Sequence, residues 1–262
     1  MGSSLTLLSN FDKILQSLVN TLSYRFSFAF KDKIWKMVID QTQGKAIVEL
    51  RSEVHSISYH IIDLIEGKER KLAVGIDDPW SIPVGFVDPY LLIETFTDPN
   101  DPQSKNLSIF NVVTESKFDT KEGFQMEQYV DDSLIGYYLA EPEKPIEFKI
   151  KSSLSTFSYQ LLSPNYYRSG SNGANLVQQL LPNADLSVGC EYFEQAELII
   201  ISYYERLGTT FARKMIVIRR DETIYHETTD VNLTGFASGA FMIYNDLLIF
   251  IENSNQLHAI NI

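Results

Sequence analysis

Cysteine is nearly absent, with Cys190 alone in 262 residues. One thiol forms no internal disulfide and builds no cysteine-based zinc site, so stability has to come from a packed core. Histidine is sparse too. His55, His60, His226 and His258 make no HxH or HExxH pair, which leaves no zinc signature. Basic charge is short: 22 Lys and Arg stand against 34 Asp and Glu, a net charge of −12. A negative chain suits neither a nucleic-acid backbone nor an anionic membrane, and neither is expected as a partner. No apolar run approaches the roughly 18 residues of a bilayer span. The opening MGSSLTLLSNFDKILQSLVN lacks the basic start and unbroken apolar centre of a secretion signal, so the expected location is the cytoplasm. SGSNG (169–173) has no following Lys-Ser/Thr, and no G-x-S-x-G occurs. No cofactor is implied.

What is present is apolar and aromatic, 44% and 12% of the chain, the composition of a globular protein. Residues 1–22 form one expected segment, an amphipathic helix with Leu8, Phe11, Leu15, Leu18 and Leu22 three or four apart. From residue 23 to 262 the pattern alternates by two, as in Ile146, Phe148 and Ile150 against Glu147 and Lys149. One phrase recurs: an apolar run, a polar turn, an alternating run. It is clearest in FMIYNDLLIFIENSNQLHAINI (241–262), and returns around Ile47, Leu92, Leu134 and Ile199. Strand-bearing units every 40–50 residues or so fit four-stranded propeller blades. The phrases DPYLLIETF with LSIFNV, and NDLLIFIEN with QLHAINI, resemble blades of β-propellers of the quinoprotein or WD-repeat type. FAFKDKIWKMVID with AIVELRS resembles an uncharacterised family of bacterial propeller-like proteins. The expected fold is therefore all-β: a five-bladed propeller over 23–262, its ring closed by pairing Tyr24–Phe30 with the C-terminal strand.

Ser163–Asp185 interrupts the spacing with Pro, Ser, Gly and Asn. It reads as a long loop with a helical turn at Asn175–Leu181. Cys190 reads as a small core residue, since no base adjoins it in sequence. In a propeller, one face would gather Arg51, Asp77, Asp78, Trp80, Tyr166, Tyr167 and Arg168. Trp80 and the paired tyrosines would stack on a sugar or another flat ligand, and Arg51 or Arg168 would fork onto a carboxylate or phosphate. No residue is assigned to catalysis or to a metal. The expected function is a non-catalytic module that binds a small molecule or protein. The alternatives are a glycosidase-like hydrolase or lyase using carboxylates such as Asp77 and Asp78, and an assembly subunit docking through its N-terminal helix.

Overall fold

The computed structural model describes residues 23–76, 78–98, 100–130, 133–150, 160–182, 184–235 and 239–262. The expected N-terminal helix and Asp77 lie outside them. In chain order the strands are β1 (Tyr24–Ala29), β2 (Lys33–Asp40), β3 (Lys45–Arg51), β4 (Ile57–Asp63), β5 (Lys68–Leu72), β6 (Ser81–Val87), β7 (Tyr90–Phe96) and β8 (Lys105–Asn111). They continue as β9 (Ser116–Lys121), β10 (Phe124–Val130), β11 (Ser133–Tyr138), β12 (Ile146–Lys149), β13 (Leu161–Leu162) and β14 (Asn165–Tyr167). After helix α1 (Asn172–Leu180) come β15 (Cys190–Gln195), β16 (Leu198–Leu207), β17 (Thr210–Arg219), β18 (Glu222–Leu233), β19 (Phe241–Tyr244), β20 (Leu247–Glu252) and β21 (Gln256–Asn261).

The chain divides into two compact units, one within Phe30–Tyr159 and the other joining the segment up to Ala29 with Gln160–Ile262. The first holds three antiparallel meanders, β2–β5, β6–β9 and β10–β12. The middle sheet is covered on both faces. Leu91 and Ile93 of β7 pack with Ile47, Tyr59 and Leu72 of the sheet before. Leu92, between them, packs with Phe124 and Leu134 of the sheet after. Period-two geometry sends consecutive residues to opposite faces, so a strand buried twice reads as an unbroken apolar run. All three side chains are buried, each contributing about 1.5–3 kcal/mol.

The second unit holds the β14–β18 sheet and a terminal sheet ordered β1-β21-β20-β19-β13. Phe193, Ile200, Met215 and Val217 of the former meet Phe241, Ile243, Leu248 and Phe250 of the latter. The other face of the β14–β18 sheet is covered by α1. Val177 is buried there against Leu186, Cys190, Tyr192, Ile201 and Ile216. Ser171 caps the helix, its hydroxyl accepting from the Ala174 amide. Cys190 is core, and burial pushes its thiol up to about 11.

The all-β class is as expected, but the five-bladed closed propeller is not formed. The described residues make five separate open sheets of five, three, five, four and four strands, and no sheet closes on itself. β1 does pair antiparallel with β21, Phe28 opposite Leu257. That pairing puts β1 at one edge of the terminal sheet, with β13 at the other, and so extends a ladder instead of closing a ring. The physical reason is that alternation dictates which strands form hairpins. It is silent on how finished sheets are arranged, which depends on contacts between their faces.

Candidate functional site

The site is built on an irregularity in β2. Across β2 and β3, Lys33 faces Arg51 and Ile34 faces Leu50, but Lys36 faces Glu49, so Trp35 is the extra residue of a bulge. A bulge breaks the in–out alternation and re-aims a side chain. Trp35 is tipped outward and left 61% exposed. Arg51, ending β3, lays its guanidinium 4.6 Å from the Trp35 ring centre. That distance suits a cation–π contact.

The fork of Arg51 is fixed at every corner. Its Nε donates to Glu49 Oε1 at 2.5 Å, one Nη to the Pro79 carbonyl at 3.0 Å, and the other to the Ser81 carbonyl at 2.7 Å. The two carbonyls flank Trp80, which is 55% exposed. Asp78 shapes that turn, its Oδ1 accepting the Trp80 amide and its carbonyl the Ser81 amide, both at 2.9 Å. Thus Arg51, Asp78 and Trp80, picked from sequence, come together. Arg51 serves as a brace between β3 and the turn entering β6, with hydrogens remaining on its Nη atoms for a ligand.

Beneath the guanidinium is a buried acid. Glu49 is fully buried, which raises its carboxyl above the usual range, while Arg51 and Lys36 pull it back. Its Oε2 makes no hydrogen bond with the described residues, nor does the hydroxyl of Tyr59, which faces Glu49 across β3 and β4. Burial, then the Glu49 charge, raises the Tyr59 phenol. Charged Arg51 over a buried carboxyl makes a rigid base for the Trp35 ring and for the backbone that carries Trp80.

Tyr166, Tyr167 and Arg168 lie in the other unit, where they dock the 163–185 insertion. The Tyr166 hydroxyl donates to the Val188 carbonyl at 3.0 Å, and Tyr167 stacks on Tyr192 at 5.8 Å. The Arg168 carbonyl accepts from Ser171 at the helix cap. Gly189, at φ +95°, lets the chain pass Tyr167, since a Cβ there would stand 2.6 Å from the Tyr167 carbonyl oxygen.

Trp35, Glu49 and Tyr59 were missed by the sequence reading. A signal existed for two of them. KIWKM sets a tryptophan between lysines in a short strand, and Glu49-Leu50-Arg51 places opposite charges on one strand face. Among the described residues no three His, Cys, Asp or Glu side chains form a metal-binding group. No described helix is long and apolar enough to cross a membrane.

No family model matches the chain, and no curated protein matches it. Among solved structures, the uncharacterized protein lmo1340 from Listeria monocytogenes EGD-e matches over 90% of this chain and 97% of its own, at 8% identity and a TM-score of 0.33. A likeness at that level carries no argument about fold or function.

Proposed function

We propose that this protein is a non-catalytic binding module, and that the Trp35–Arg51–Trp80 patch stacks on the face of a saccharide ring. The observation that carries the reading is that both tryptophans of the chain are more than half exposed, and one immobilised guanidinium ties them together. Indole is the largest apolar side chain, and leaving it in water forgoes a few kcal/mol, so two held open at one place argue for a partner surface. A sugar ring offers C–H faces to the indoles and hydroxyls to donors at the rim, here Arg51 and the neighbouring Lys33 and Lys36. Two described acids there have other tasks. Glu49 is buried under Arg51, and Asp78 caps the turn. This supports binding over hydrolysis.

The test uses intrinsic fluorescence, because the chain has two tryptophans and both stand in the patch. Titration with glucose, N-acetylglucosamine and glucuronic acid, and with their disaccharides, should shift the emission saturably. Trp35→Ala and Trp80→Ala should each abolish saturation. Unchanged emission up to about 10 mM of every sugar, a binding free energy weaker than roughly −2.7 kcal/mol, would sink the reading.

A further inference from the structure

The second unit contains a recess of about 420 Å³ between the end of α1 and the sheet that α1 covers. Small-molecule sites run from about 300 to 1,000 Å³. Its lip is apolar, made by Leu180, Leu181 and Pro182. The lip is also braced: the Gln178 amide nitrogen stands 3.1 Å from the carbonyl oxygens of Leu181, Pro182 and Ala184. The sheet side presents Tyr203, Lys214 and the exposed His226 from the adjacent strands β16, β17 and β18.

These groups are arranged for holding and not for attack. The Tyr203 hydroxyl and His226 Nε2 are 3.0 Å apart. Burial, then the Lys214 charge, lowers His226. Glu205 bonds Lys214 at 2.5 Å and holds it above its ordinary value, so the amine stays protonated and is no nucleophile. Burial raises the Tyr203 phenol, which keeps its proton.

The charge balance of the recess is negative. Glu205 and Asp185 line it against one cation, Lys214, which Glu205 already neutralises. Hydrogen bonds from Ser187 hold Asp185 below the usual carboxyl range, so it is ionised. Arg206, which also favours the Asp185 charge, is not among the lining residues and stands over the Phe211 ring. The C-terminal end of α1 opens here too, and its last turn carries no basic residue to offset the negative pole.

We propose that this recess binds a small organic ammonium ion with an apolar body. The ammonium group lies between Asp185 and Glu205, and the hydrocarbon lies against Leu180, Leu181 and Pro182. The site is separate from the tryptophan patch and does not rest on the saccharide reading.

Calorimetric titration of the full chain with phenethylammonium tests it, with 3-phenylpropionate and benzyl alcohol as the anionic and neutral counterparts. Phenethylammonium should bind with a Kd in the sub-millimolar range or near it, and the other two at least about tenfold more weakly. Asp185→Asn keeps the oxygen that accepts the Ser187 amide. It and Glu205→Gln should each weaken the amine about three- to tenfold at unchanged melting temperature. Leu180→Ala, at an exposed position, should weaken amine and alcohol alike. Trp35→Ala should leave amine binding as it is, which separates this site from the patch. Equal or tighter binding of phenylpropionate, indifference to Asp185→Asn, or no heat with the amine at about 10 mM overturns the proposal.

Discussion

The Arg51 guanidinium lies over the Trp35 ring, and the bulge that exposes the ring sits in the strand paired with Arg51's own. The contact therefore unites a backbone irregularity with a side-chain brace, and each can be disturbed alone.

Removing the brace should cost more than weakening it. Arg51→Ala leaves the Glu49 carboxyl buried without its cation, an expected loss of about 3–5 kcal/mol. Arg51→Lys keeps the charge but not the planar fork, and should lose about 1–3 kcal/mol. In urea unfolding, adding Glu49→Gln to Arg51→Ala should recover part of the larger loss. Full additivity of the two substitutions would show that Glu49 and Arg51 do not act as a pair.

Both indoles should behave as solvent-facing groups. Acrylamide should quench the emission of the wild type efficiently, and still do so in each single Trp→Ala protein. Arg51→Ala uncovers one face of Trp35 and should steepen quenching in the Trp80→Ala background. Emission typical of a buried indole from Trp35 alone would contradict the bulge geometry, and from Trp80 alone the exposure of the turn before β6.

Gly173 is the second residue of α1, and a Cβ there would stand 2.5 Å from ring carbons of Tyr167. Gly173→Ala should thus destabilise the protein by about 1–3 kcal/mol, despite alanine's better helix propensity. The near-ultraviolet dichroism of the Tyr167–Tyr192 stack should change with it. A variant as stable as the parent would mean that Tyr167 does not pack on α1.

His258 gives an acid-sensitive contribution whose sign is set by burial, against the Glu252 carboxylate, whose Oε2 lies 3.0 Å from its Nε2. Its ring lies 5.1 Å from both Tyr24 and Phe250, and burial lowers its pKa. A group whose folded pKa is depressed favours folding while neutral. Its contribution is present above the unfolded value, near 6.5, and is lost as pH falls through that value toward the folded one. His258→Phe should remove this loss, so the stability gap between variant and parent should widen in the variant's favour below about pH 6.5. Glu49 and Glu191, whose burial raises their carboxyls, act equally in both proteins. Glu252, raised chiefly by burial, loses its His258 neighbour in the variant, so both proteins are compared in a Glu252→Gln background. A gap independent of pH would show that His258 charges freely in the fold.

The C-terminal phrase was legible as strand, turn and strand because its alternation and its polar Glu252–Gln256 turn are local signals. β21 falls where that reads it, but the apolar run before the turn is two strands, β19 and β20, paired as a hairpin about Asn245 and Asp246. Tyr24–Phe30 was legible as a strand for the same reason. The helical turn seen at Asn175–Leu181 is a full helix from Asn172, since Ser171 supplies a cap that loop-like neighbours obscured. The grouping of sheets was not legible: identical alternation serves β7, buried on both faces, and strands at an edge. Trp35 was overlooked because a bulge exists only relative to a paired strand. Asp78 and Trp80 were picked through a propeller face that is not formed, while Glu49, set among apolar neighbours in sequence, had only its spacing from Arg51 to announce it.

The ladder between β1 and β21 joins residues far apart along the chain, Phe28 with Leu257. Such a contact is reached only after a long loop has closed, so it belongs to the slow, non-local part of folding. While it is open, the edge of β21 offers unpaired backbone to any other extended strand, and β1 is the cover that removes that hazard.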